Sequence, residues 1–138
     1  MSRHGYSDNC EHLAMWRGMI ASASRGKRGQ AFFRALVEAL DAMPEKRLVE
    51  GELETEEGAV CALGALGKAK GVAIGKVDTE DWDRLGELFD ISPKLAQEVM
   101  FVNDEGGARA AENRWKLVRD WAARQIQVES SELTTRPA

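Results

Sequence analysis

The sequence predicts a mainly α-helical single domain, a bundle of about six helices with at most a small β-element. Three observations carry that reading. Apolar residues recur at helical spacing in one stretch after another. Aspartate, serine and proline stand where such stretches would begin or end. The least polar segment, Ala59-Val-Cys-Ala-Leu-Gly-Ala-Leu-Gly-Lys-Ala-Lys-Gly71, is crowded with small residues.

That segment is the one the rest is organised around. As a helix it places Cys61, Ala65 and Ala69 on one face, with Gly64 and Gly67 as a neighbouring flat strip. Glycine inside a helix costs roughly 1 kcal/mol relative to alanine, so close packing by other backbones should offset it. Gly71 suits the helix end, where a left-handed residue is wanted. A phosphate loop is excluded by spacing, since neither G-x-x-x-x-G-K-[ST] nor G-x-G-x-x-G is present.

In chain order, Asp8-Asn-Cys-Glu11 has the spacing of a capping box. Leu13, Trp16, Ile20 and Ala23 follow at helical intervals, predicting a first helix from Asn9 to Ser24. Arg25-Gly-Lys-Arg-Gly29 reads as a loop. A second helix then runs to Met43 on Phe33, Leu36, Val37 and Leu40, and Pro44 closes it. From Arg47 to Glu54 the pattern alternates, and Glu56-Glu-Gly58 looks like a turn. A short extended segment is expected here, paired with Val72-Ala-Ile74. Thr79 reads as the cap of a helix on Trp82, Leu85, Leu88 and Phe89. Ser92-Pro93 starts the next, with Leu95, Val99 and Val102 as its stripe, ending at Asn103-Asp104. After Gly106-Gly107 the last helix runs to Val128 on Trp115, Val118, Ala122 and Ile126. Both Trp16 and Trp115 are expected in the core. Residues 1–128 thus form one domain, and 129–138 read as a disordered tail.

Composition narrows the function. The chain is 43% hydrophobic and 30% charged, with net charge −4. No apolar run approaches the roughly 20 residues of a membrane span. No signal peptide is visible, and two cysteines fit a reducing, cytoplasmic setting. An acidic protein is not a general nucleic-acid binder. The local exception is Arg25, Lys27 and Arg28, which with Arg3, Arg17 and Arg34 gather much of the positive charge. They could meet an anion or a nucleic acid, or form a solvated turn, which is the preferred reading.

Leu85 to Val99 has the layout of a helix-turn-helix. Its would-be recognition helix offers Lys94, Gln97 and Glu98, poor chemistry for phosphate, so a plain helical hairpin is preferred. Cys10, His12, His4 and Cys61 lack the paired spacing of a structural zinc site. They form no activated-nucleophile pattern either. Neither a metal, a cofactor nor catalytic residues are expected. Acidic residues cluster at Glu54, Glu56 and Glu57 and at Asp78, Asp81 and Asp83, and these are the candidate partner-binding groups.

Five segments share a texture: Arg3-His-Gly-Tyr-Ser-Asp8, Arg25-Gly-Lys-Arg-Gly-Gln-Ala31, Met43-Pro-Glu-Lys-Arg-Leu48, Cys61-Ala-Leu-Gly-Ala-Leu66 and Val102-Asn-Asp-Glu105. In these the chain resembles a family of small proteins encoded by phages, prophages and other mobile elements. The resemblance spans nearly the whole chain and transfers no chemistry residue by residue. What it implies is a setting in which small acidic proteins act by occupying a host protein, inhibitors of CRISPR–Cas complexes among them. The expectation is therefore a non-enzymatic protein of the bacterial cytoplasm that binds and inhibits a host macromolecular complex, or a phage one. The alternative is a nucleic-acid-binding accessory protein using Arg25 to Gly29. Oligomeric state is left open.

Overall fold

The protein, seen as a computed structural model describing residues 10–127, is a helical bundle. Its α-helices are α1 (Cys10–Arg25), α2 (Lys27–Asp41), α3 (Ala62–Lys70), α4 (Trp82–Phe89), α5 (Pro93–Glu105) and α6 (Ala111–Gln125). A 3-10 turn, Ile74–Lys76, lies between α3 and α4. Both Asp8 of the expected capping box and the tail 129–138 fall outside the described residues.

Helix α3 is central, as its small-residue composition requires. Every residue from Cys61 to Gly67 is buried, and the helix packs against both α2 and α5. A helix apolar on all sides has nowhere else to go. Its glycines are there for approach. A Cβ at Gly64 would fall 1.9 Å from the Leu53 carbonyl oxygen, and one at Gly67 would lie 3.2 Å from Ile74 Cβ. Gly71 ends the helix in the left-handed region, with φ 76°.

The expected extended segment is present, but its partner is not Val72-Ala-Ile74. Glu54 makes a single antiparallel bridge to Val60. Around it, Val49 N–H donates to Val60 O at 2.9 Å and Cys61 N–H to Leu53 O at 3.2 Å. Gly58, with φ 92°, turns the chain straight back on itself. Closing this short loop costs less entropy than pairing across an intervening helix. Val72 to Ile74 instead leads into the 3-10 turn, which drops Ile74 onto Gly67.

The other helices follow their apolar faces. On α2, Phe32, Phe33, Leu36 and Leu40 are buried, while Val37 lies at the edge. Phe33 meets Trp121 of α6 edge-to-face, with ring centroids 5.3 Å apart. Helices α4 and α5 form a tight hairpin, in which a Cβ at Gly86 would sit 2.7 Å from Ile91 O. Ser92 caps α5 as expected, its hydroxyl accepting from Leu95 N–H at 3.1 Å. The cap of α4 is Asp81 rather than Thr79, and the helix starts at Trp82. Helices α2 and α6 each stop short of their expected ends, at Asp41 and Gln125.

Trp16 and Trp115, expected in the core, are both partly buried, and Trp115 packs against the core cluster. Their indole N–H groups need acceptors, which holds each ring at the edge of the core. Trp115 donates to Leu40 O, at the end of α2, at 3.1 Å. Trp16 donates to Glu98 of α5 at 3.4 Å. Burial pushes the Glu98 carboxyl up from 4.5 to about 7.

Two predictions follow from this packing. Gly64→Ala should destabilise the protein by about 1–3 kcal/mol or more, because the Leu53 backbone must move. Equilibrium denaturation measures it, and a variant that melts like the parent would show the contact to be loose. Glu98 holds its proton more tightly folded than unfolded, so its stabilising contribution is lost as pH rises from about 4.5 through about 7. Glu98→Gln keeps an acceptor for Trp16 and removes the charge. Its melting temperature should exceed the parent's at about pH 8 and match it at about pH 4; an offset independent of pH would contradict the assignment.

Candidate functional site

The segment 44–61 has almost no regular secondary structure, so its backbone polar groups need other partners. Two buried polar side chains supply them. Asn103, 1% exposed on α5, accepts from Ala62 N–H at 3.0 Å and donates to Val49 O at 2.9 Å. Arg114, 5% exposed on α6, donates to Leu48 O at 2.9 Å and to Glu50 Oε1 at 3.0 Å. Its other terminal contacts are the carbonyls of Ala108 and Arg109, both at 3.2 Å. Sequence reasoning missed both residues. The signal was there: Asn103 continues the Ala96–Val99 stripe, and Arg114 stands four residues before Val118, itself four before Ala122.

Held this way, the segment forms one wall of a groove of about 690 Å³. Ala39, Ala42 and Met43 at the end of α2 form a second wall, and Ala65 and Ala69 of α3 a third. Alanine on facing helices keeps the hollow open. Of the charged residues lining it, Arg47 pairs with Glu112 at 3.2 Å and Lys68 with Glu54 at 3.6 Å. Glu45 has no such partner among the described residues. Neither do Glu56 and Glu57, exposed in the turn just before Gly58 and Ala59, which line the groove. The mouth is therefore open to positive charge.

The acidic candidates divide accordingly. Glu56 and Glu57 precede the groove-lining Gly58 and Ala59 in sequence, whereas Glu54 is paired with Lys68 at 3.6 Å. Asp78, Asp81 and Asp83 sit around the start of α4 and do not line the groove. Asp78 accepts from Glu80 N–H at 2.8 Å, and Asp81 from Arg84 N–H at 3.1 Å. Their first duty is to order that corner.

The basic stretch is not the expected loop. Arg25 ends α1 and Lys27 begins α2, so Gly26 alone separates two helices. Gly29 is inside α2, where a Cβ would fall 2.0 Å from Ala23 O. The helices abut so closely here that no loop is left. Arg25, Lys27 and Arg28 remain exposed, and Arg28 reaches Asp90 at 3.6 Å. Between this corner and the α4–α5 turn lies a smaller hollow of about 340 Å³ lined by Lys27, Arg28, Ile91 and Leu95.

Helix α5 is not free to act as a recognition helix. Helix α1 packs on it, with the Trp16 indole bonded to Glu98 and Lys94 Nζ 5.0 Å from the same ring. Cys61 is fully buried and free, and burial pushes its thiol up to about 12. Its sulfur accepts from Gly64 N–H at 3.4 Å and so caps α3. The other sulfur and imidazole candidates, His4, Cys10 and His12, have side chains outside the description. Among the described residues no group of three His, Cys, Asp or Glu side chains could hold a metal ion, and no helix is long and apolar enough to cross a membrane.

No protein-family model, curated protein or solved structure matches the chain. The site must be argued from its own geometry.

The Asn103 clasp is directly testable. Asn103→Leu would leave Ala62 N–H buried and Val49 O part-buried without this partner, at a cost of about 2–3 kcal/mol. Hydrogen exchange at the Ala62 amide should accelerate in the same variant. A loss under about 1 kcal/mol in denaturant melts would mean that water satisfies these groups instead.

Proposed function

We propose that the protein acts by binding rather than catalysis, capturing a basic, apolar-anchored segment of a partner protein in the alanine-lined groove. One observation carries this reading. The groove is lined by six alanines, and of the charged residues lining it Glu45 alone has no ion pair among the described residues, while Glu56 and Glu57 adjoin its wall in sequence. Its volume is in the range of sites that enclose a few side chains. Alanine walls accept a bulky apolar anchor, and free carboxylates beside it favour flanking lysine or arginine.

Proteins that handle nucleic acid present such basic segments on their surfaces. A host nucleic-acid-processing complex is thus the partner class that the charge favours. With the resemblance to mobile-element proteins, an anti-CRISPR-type inhibitor is the sharpest form of the proposal. The competing reading is nucleic-acid contact through Arg25, Lys27 and Arg28, which the same experiment decides.

The experiment titrates the protein with labelled peptides carrying one Leu or Phe between Lys and Arg residues, and with acidic counterparts. Single- and double-stranded DNA and RNA oligonucleotides are titrated alongside. Basic peptides should bind and shift the amide resonances of Ala42, Ala59 and Ala69. Glu45→Gln with Glu56→Gln and Glu57→Gln should weaken them about tenfold and flatten the salt dependence. Ala69→Trp, at an exposed position on the groove wall, should block binding without unfolding the protein. Salt-steep oligonucleotide binding that disappears when Arg25, Lys27 and Arg28 become Ala would overturn the proposal. Equal binding of acidic peptides would do the same.

A further inference from the structure

The corner between α1 and α2 is firmly clasped. Gly29 lets the two backbones cross so closely that a Cβ there would fall 2.0 Å from Ala23 O. Gln30 of α2 reaches back over the corner, its Nε2 donating to Ser24 O at 2.8 Å and to Gln125 O at 2.7 Å. Gly26 N–H donates to Ser22 O at 3.2 Å, and Ser24 is buried.

Further back along α1 the footing changes. Trp16 lies on α5, its indole N–H donating to Glu98 at 3.4 Å, with Lys94 Nζ 5.0 Å from the ring. Ile20, between Trp16 and the corner, packs against the core cluster but is only partly buried. The contact covers a carboxyl, and covering disfavours its charged form. One end of α1 is therefore clasped, while the stretch beyond it rests on a group whose charge decides whether closing is favourable.

We propose that α1 is a pH-released arm. Its stretch from Met15 to Ile20 closes on α5 when Glu98 is protonated and swings away about the Gly26 corner when Glu98 ionises. With the arm closed, burial pushes Glu98 up from 4.5 to about 7; with the arm open, the carboxyl returns toward its ordinary value. The closed form is thus fully favoured below about pH 4.5 and is lost as pH rises through about 7, the closing constant falling on the order of a hundredfold.

The surrounding charges do not set this switch. Lys94 stands one turn from Glu98 on α5 itself, over the Trp16 ring. On α1, Arg17 adjoins Trp16 and is exposed, and His12 is one turn further back, its side chain outside the described residues. Lys27 and Arg28 of α2 approach α5 at Leu95, and Asp90 before α5 pairs with Arg28 at 3.6 Å. Burial, and none of these charges, is what raises Glu98. Opening uncovers the α5 surface around Glu98 and Lys94, which the closed arm denies to a partner. The inference does not rest on the groove.

The test is amide hydrogen exchange on the full chain from about pH 4 to about pH 8.5, each rate divided by that of an unstructured peptide at the same pH. An undocked helix of this length is marginal in water, so opening exposes its amides. In the parent, protection at Met19 and Ile20 should fall on the order of a hundredfold between about pH 4.5 and about pH 7 and then level off. Leu66 of α3 should keep its higher protection throughout. Glu98→Gln retains an acceptor without the charge, and should hold the arm closed across the whole range. His12→Gln should leave the parent's profile unchanged. Exchange at Met19 and Ile20 that matches Leu66 at every pH would mean that α1 opens only with global unfolding, and overturns the proposal. So does protection at Met19 and Ile20 that is independent of pH in the parent. A pH profile that survives Glu98→Gln, or disappears with His12→Gln, overturns it as well.

Discussion

The structure depends on the irregular backbone of 44–61 being held against the α3 and α5 pair. This segment supplies the core with Leu48, Leu53, Val60 and Cys61, yet cannot satisfy its own polar groups through a helix or a sheet. Three devices hold it. The Leu53 carbonyl rests on Gly64, where any side chain would exclude it. Asn103 takes up Ala62 N–H and Val49 O, and Arg114 takes up Leu48 O. The Asn103–Ala62 and Arg114–Leu48 bonds are buried, and losing such a bond costs more than its presence contributes. The groove exists because these bonds fix one of its walls.

Helical periodicity made much of this legible in the sequence. The small residues of Ala62 to Gly67 read as a crowded centre, and Ser92-Pro93 as a helix start, and the structure has both. What the sequence did not reveal was non-local. The pairing partner of Glu54 depends on Gly58 reversing the chain at once, and Gly58 reads equally well as part of any turn. The Arg25–Gly29 stretch looks like a loop because it holds two glycines and three cations. Gly29 is instead a packing glycine, and the distinction lies in Ala23 O, which no local pattern displays. Trp16 and Trp115 follow the apolar stripes, but their N–H groups hold them at the margin, and periodicity is blind to that requirement. The groove itself was invisible, because alanines on facing elements leave no mark in the pattern of one element.

Charge was misleading for a related reason. A sequence lists carboxylates without saying which are already engaged. Glu54, Asp78 and Asp81 looked equal to Glu56 and Glu57, yet the first is in an ion pair and the others accept from backbone amides. Arg47 and Lys68 belong to the groove but are paired in the same way. Exposed pairs of this kind add little to stability. Their effect at this site is to pair the two cations that line the groove, leaving Glu45 as the one lining charge without an ion pair among the described residues. Net charge pointed to acidic surfaces; the geometry puts Glu45 on the groove wall and engages Asp78 and Asp81 with backbone amides elsewhere.

Helix α1 shows how one element can be attached weakly for a physical reason. From position 15 onward Ser24 is its one buried residue, and a single glycine ties it to α2. Its grip on α5 includes an indole bonded to Glu98, whose carboxyl burial has pushed up to about 7. Covering that carboxyl opposes its ionisation, so ionising it must in turn oppose the covering contact. Docking of α1 is therefore tighter when Glu98 is protonated. The outer face, with Met15, Gly18 and Met19 exposed, adds nothing to the hold among the described residues.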